Sequence, residues 1–144
     1  MTVSTGSATP ASLTANSIGT SGGTLQFNNA SGPVGITVAN VSVSSGNLRF
    51  GTSTNGTTAI DSISVSGTTS SAGTLEFNVD NAGTDTYSLG LLNLSTGAVV
   101  RLNQANYVKG LATVNIIGLS GSGGTITNGS VGASNSSNLV ITSA

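Results

Sequence analysis

The sequence is 144 residues long, the size of one domain, and only 5 % of it is charged, against ~25 % in an ordinary soluble domain. Its net charge of −1 rests on three cations and four carboxylates, too few Lys and Arg to cluster on phosphates or to form the basic face of a membrane-surface helix. The lack of Cys and His removes disulfides, thiolate or imidazole metal ligation and histidine acid–base work, and no apolar run approaches the ~18 residues of a membrane span.

The start, Met1-Thr2-Val3-Ser4, has neither the basic nor the apolar region of a secretory leader, so if the protein is secreted the sequence is expected to be a mature fragment of it. From there the signals are for strands. Gly23-Thr24-Leu25-Gln26-Phe27-Asn28 comes first, then the alternating Ile36-Thr37-Val38 and Val41-Ser42-Val43, then Gly46-Asn47-Leu48-Arg49-Phe50-Gly51. Ile63-Ser64-Val65 precedes Gly73-Thr74-Leu75-Glu76-Phe77-Asn78, and Leu92-Asn93-Leu94 precedes Val100-Arg101-Leu102-Asn103. Val114-Asn115-Ile116 precedes Gly124-Thr125-Ile126-Thr127, and Leu139-Val140-Ile141 closes the series. Period-2 alternation sends one set of side chains inward and the Ser, Thr and Asn set outward. Turn signals at Ser31-Gly32-Pro33, Asn55-Gly56, Ser66-Gly67, Asn81-Ala82-Gly83 and Asn128-Gly129 separate the runs. No stretch carries helical periodicity with caps, and 21 glycines with many β-branched residues oppose helix.

The Gly-x-Leu-x-Phe units form an internal repeat of about 25 residues, in the range of solenoid coils. One such unit cannot bury its Leu and Phe alone, but coils stacked at ~4.8 Å cover one another and pair their backbones. The expected fold is therefore all-β, a single parallel β-helix or β-solenoid over residues 1–144. It would have about five to six coils, each read as strand, short turn, strand and longer connection. An antiparallel β-sandwich fibre subunit is the alternative. Leu25, Leu48, Leu75, Val100 and Ile126 form one expected core column, and Phe27, Phe50, Phe77 and Leu102 a second. Asn28, Asn78 and Asn103 follow these strands and suggest an amide ladder.

At these residues the chain resembles the autotransporter-associated β-strand repeat proteins. The matching pieces are Gly23 to Ala30, Ser71-Ala72-Gly73-Thr74-Leu75, and Gly118 to Gly129 with the following Leu139-Val140-Ile141-Thr142. The resemblance covers roughly residues 20 to 144. It implies a right-handed parallel β-helix, export from a bacterial cell and a surface or matrix role, and it implies no catalytic residues.

Little in the sequence carries chemistry. The carboxylates are Asp61, Glu76, Asp80 and Asp85. Glu76 falls on the outward face, one coil from Arg49 and one from Arg101, and reads as a solvated charge row that fixes register rather than as half of a glycosidase pair. Asn78, Asp80, Asn81 and Asp85 crowd one loop with oxygen ligands, but their spacing fits no calcium motif and a polar loop is the simpler reading. Tyr87 and Tyr107 read as strand-edge packing residues rather than sugar platforms, and sequons such as Asn40-Val41-Ser42 and Asn93-Leu94-Ser95 arise readily in so Asn- and Ser-rich a chain. An ice-binding face needs the same Thr pair on every coil, which the repeats do not supply. The expectation is a non-enzymatic structural module without catalytic, cofactor or metal site, secreted or on the cell surface. Its expected partners are further copies stacked head to tail into a filament, or flanking repeats of a longer chain. A glycan- or host-binding adhesin module is the alternative function.

Overall fold

The computed structural model describes residues 2–5, 11–29, 34–50, 62–77, 84–102, 111–128 and 136–142. Thirteen strands occur in this order: β1 (Thr2–Thr5), β2 (Ala11–Asn29), β3 (Val34–Phe50), β4 (Ser62–Val65), β5 (Thr68–Ser71), β6 (Thr74–Phe77) and β7 (Thr84–Ser88). They continue as β8 (Leu91–Leu94), β9 (Val99–Leu102), β10 (Leu111–Ile116), β11 (Gly118–Gly121), β12 (Thr125–Asn128) and β13 (Ser136–Ile141). Every pairing among them is parallel. The chain is a β-solenoid, and the antiparallel sandwich is excluded.

Three parallel ladders run along the axis. The first contains residues 11–15 of β2, 34–38 of β3, then β4, β7, β10 and β13. The second contains 17–20, 40–43, β5, β8 and β11. The third contains β1, 24–29, 47–50, β6, β9 and β12. Residues 11–29, 34–50, 62–77, 84–102 and 111–128 each supply a strand to all three ladders, while β1 and β13 are part-coils at opposite ends.

A coil of two strands, as read from the sequence, is therefore corrected to three. The second strand of the repeat was a composite: Val43 and Leu94 lie in the second ladder, Val65 and Ile116 in the first. What hid the extra strand is its chemistry. In β5, Thr-Thr-Ser-Ser, the inward residues are the hydroxyl-bearing Thr69 and Ser71, so no apolar alternation marks it.

Two corners of the coil are tight because the backbone ladder continues through them. At the first, Gly67 N–H donates to Ala39 O at 2.9 Å, Leu91 N–H to Gly67 O at 3.0 Å and Ile117 N–H to Gly90 O at 2.9 Å. Asn40 reinforces it, its Oδ1 accepting from Thr68 N–H at 3.1 Å. Gly90 sits here at φ +61°, and a Cβ would stand 2.0 Å from Gly67 O, so glycine is required by both dihedral and space. At the second corner Ala72, Ser95 and Ser122 N–H groups donate to Val43, Ser71 and Leu94 carbonyls at 2.7, 2.8 and 3.0 Å. The connections at the third corner, 30–33, 51–61, 78–83, 103–110 and 129–135, lie outside the described residues.

Inside, the columns pack by coil. Leu25, Leu48, Leu75, Val100 and Ile126 are in register along the third ladder, as are Phe27, Phe50, Phe77 and Leu102. The Phe rings stack at centroid distances of 5.5 and 5.6 Å, nearly parallel. Each fully buried Leu, Val, Ile or Phe side chain contributes about 1.5–3 kcal/mol, and offset aromatic pairs add about 0.5–1.5 kcal/mol. Tyr87 joins the stack from the first ladder, 4.9 Å from Phe77.

Candidate functional site

The outward face of the third ladder holds the one cluster of charge seen among the described residues. Alternation puts Gln26, Arg49, Glu76, Arg101 and Thr127 outward, and the parallel register aligns them in one row. Glu76 accepts from Arg49 Nε through Oε2, and from Arg101 Nη1 through Oε1 at 3.1 Å. One carboxylate thus occupies two guanidinium groups, one from each neighbouring coil.

The expected row is there, but the expectation that it is solvated is corrected. Glu76 is 2 % exposed, while the Arg49 and Arg101 side chains are 25 % and 39 % exposed. A carboxylate removed from water needs its charge balanced and its lone pairs occupied, and two flanking arginines do both. The sequence could place Glu76 on the outward face. It could not show how far that face is covered, because coverage depends on side-chain paths across three coils. Chemically the cluster is closed: its carboxylate has no open face for a substrate, and its partners are cations rather than a second acid.

The remaining candidates fall as follows. Tyr87 is fully buried between Ile63 and Val114 of the first ladder, so it is neither an edge residue nor a platform for sugar. Tyr107, Asp61, Asn78, Asp80, Asn81 and Asn103 lie outside the described residues, as do the side chains of Asn28 and Asp85. Among the described residues no three His, Cys, Asp or Glu side chains come together. Of the expected core residues, Phe27, Leu48, Phe50, Leu75, Phe77, Val100 and Leu102 are buried, and Leu25 and Ile126 are partly buried.

Sequence reading missed two polar groups in the core. Thr69 stands between Val41 and Leu92 in the second ladder, fully buried, and its Oγ1 donates to Leu89 O at 2.8 Å. Ser71 Oγ donates to Gly73 O at 3.1 Å. Both hydroxyls are spent on backbone carbonyls, the condition for tolerating them inside. The signal that could have found them is position: they fill the inward slots that Val41 and Val43 fill one coil earlier.

The outward face of the first ladder is built from small uncharged side chains. One column runs Ser12, Gly35, Ser62, Thr86, Thr113, Asn138, and its neighbour Thr14, Thr37, Ser64, Ser88, Asn115, Val140. Hydroxyl pairs recur on three of these coils, and Gly35, Asn115, Asn138 and Val140 break the pattern on the others. Comparison with protein-family models, with curated protein sequences and with solved structures finds no match to this chain.

Proposed function

We propose that this chain is a non-catalytic structural module, a stiff spacer or fibre unit of a secreted or cell-surface protein. The observation that carries the reading is the state of Glu76. It is the one carboxylate whose side chain is described, and it is locked between Arg49 and Arg101 and covered. Its chemistry is consumed in joining three coils. The outward columns of Ser, Thr and Asn support the same reading, since neutral hydroxyls and amides hydrate a surface without directing a charged ligand to it. The resemblance to autotransporter-associated repeats and the near-absence of charge support a place outside the cell.

Two assays on purified protein test this. A glycan array and a panel of polysaccharide depolymerisation reactions should both be blank. Saturable glycan binding that Thr86→Ala weakens would turn the reading to an adhesin module. Polysaccharide cleavage lost in Glu76→Gln would turn it to an enzyme.

A further inference from the structure

The inward columns do not tell the chain which coil belongs beside which. In the third ladder the coil of residues 34–50 presents Leu48 and Phe50, its neighbour of 62–77 presents Leu75 and Phe77, and the coil of 84–102 presents Val100 and Leu102. In the first ladder 62–77 and 84–102 compete on similar terms, with Ile63 and Tyr87 in one inward column. In the second ladder the proper neighbour of 34–50 is the poorer one. Residues 34–50 bring Val41 and Val43 and 84–102 bring Leu92 and Leu94, but 62–77 bring Thr69 and Ser71. When two coils first meet, apolar burial alone would draw 34–50 onto 84–102 and leave 62–77 out as a loop. The longer loop opposes this little, because closure entropy grows only with the logarithm of length.

The outward row of the third ladder reverses that preference. Among the described residues Glu76 is the only carboxylate side chain, and it lies on the coil whose apolar claim is weakest. We infer that the alternation Arg49, Glu76, Arg101 is a selector of coil order, which draws 62–77 between its two neighbours and penalises direct contact of 34–50 with 84–102. In that skipped pairing Arg49 would stand one strand spacing, ~4.8 Å, from Arg101, and like charges directly opposite destabilise a strand pair. In the native order each guanidinium meets Glu76 instead. The rule also acts between copies, since two 62–77 coils stacked together would set Glu76 against Glu76. Register along each strand follows from the Gly-x-Leu-x-Phe spacing, and the charges add the choice of neighbour. Removing all three charges together leaves none of them unpaired, and Gln, present in this row as Gln26, is a neutral residue the row already holds.

Trapping the skipped pairing tests this, because the chain has no Cys of its own. Thr37, Ser64 and Ser88 follow one another in an outward column of the first ladder. Cysteines placed as Thr37→Cys and Ser88→Cys stand two strand spacings apart in the native order, ~9.6 Å, beyond the reach of a disulfide, and one spacing apart, ~4.8 Å, in the skipped order. The full chain with this cysteine pair is refolded from denaturant, dilute, in a thiol–disulfide buffer. Three forms are compared: the natural row, a neutral row (Arg49→Gln, Glu76→Gln, Arg101→Gln) and an inverted row (Arg49→Glu, Glu76→Arg, Arg101→Glu). The intramolecular disulfide should be several-fold more abundant for the neutral row than for the natural one. It should return to the natural level for the inverted row, which restores the alternation. Equal trapping in the natural and neutral rows would overturn the inference, as would an inverted row that traps as much as the neutral one. A neutral row with no strand signal in circular dichroism would overturn it too, since the charges would then hold the stability of the fold rather than its order.

Discussion

The coil of residues 84–102 and the coil of 111–128 hold matched apolar residues in two inward columns, Leu92 with Leu119 and Val100 with Ile126, yet in the second and third ladders only the first coil is covered. Leu92 is 1 % exposed, and Leu119, its neighbour in the second ladder, is 48 % exposed. Val100 is buried where Ile126 above it is half-buried. In the first ladder the same step separates buried Val114 from exposed Leu139. Burial in a solenoid is therefore a property of the next coil rather than of the residue, and a column position has a meaning only together with its height.

That contrast breaks most visibly along the third ladder. Leu75→Asp should abolish folding, because an unpaired charge would enter the covered core, and the milder Leu75→Ala should cost about 2–5 kcal/mol. Ile126→Asp, in the same column on the last full coil, should leave a folded protein about 1–2 kcal/mol weaker, since its side chain is only partly buried and a carboxylate there can still reach water. Circular dichroism and thermal melts of the three variants decide it, and equal damage from Leu75→Asp and Ile126→Asp would refute the account.

Corner glycines sharpen the comparison next. Gly90→Ala should cost about 3 kcal/mol or more, combining left-handed strain with a clash against Gly67 of the coil below. Gly97 has φ +84° but no atom within 4 Å of a built Cβ, so Gly97→Ala should cost only about 1–2 kcal/mol. Denaturant melts of the two variants separate strain from space.

Glu76→Gln should cost about 1–3 kcal/mol, less than the loss of a fully buried pair because Arg49 and Arg101 are partly exposed. A chemical melt that shifts by less than about 0.5 kcal/mol would return the row to the rank of ordinary surface pairs. The smallest effect lies in exchange. Amides of β11, β12 and β13 should exchange about tenfold or more faster than those of β5, β6 and β8, since fraying begins at the uncovered end.

How far the sequence could be read follows the same line. The third ladder was legible from Leu25 to Ile126, because Gly-x-Leu-x-Phe repeats with apolar side chains in its inward slots and its spacing sets the register of Leu25, Leu48, Leu75 and Val100; its first strand, β1, lies outside that repeat and was not. The second ladder was legible only in part. In β5 the inward slots hold Thr69 and Ser71, and in β11 Gly-Leu-Ser-Gly offers one apolar residue, so hydropathy has no period to show. The position of Glu76 was legible and its burial was not. Tyr87 failed for a related reason: it replaces Ile63 and Val114 in an apolar column, and a lone tyrosine in sequence carries no mark of its ladder.

The regular coil also governs how such a chain folds. Partners in the ladders are one coil apart along the sequence, as with Asn47 and Thr24, 23 residues apart, or Arg49 and Glu76, 27 apart. No ladder contact spans the full chain, so every loop that must close is about as long as every other. Nucleation can then begin at any pair of neighbouring coils and advance in one dimension. A chain of twice as many coils would fold no more slowly per coil, and growth by adding units would meet no topological barrier.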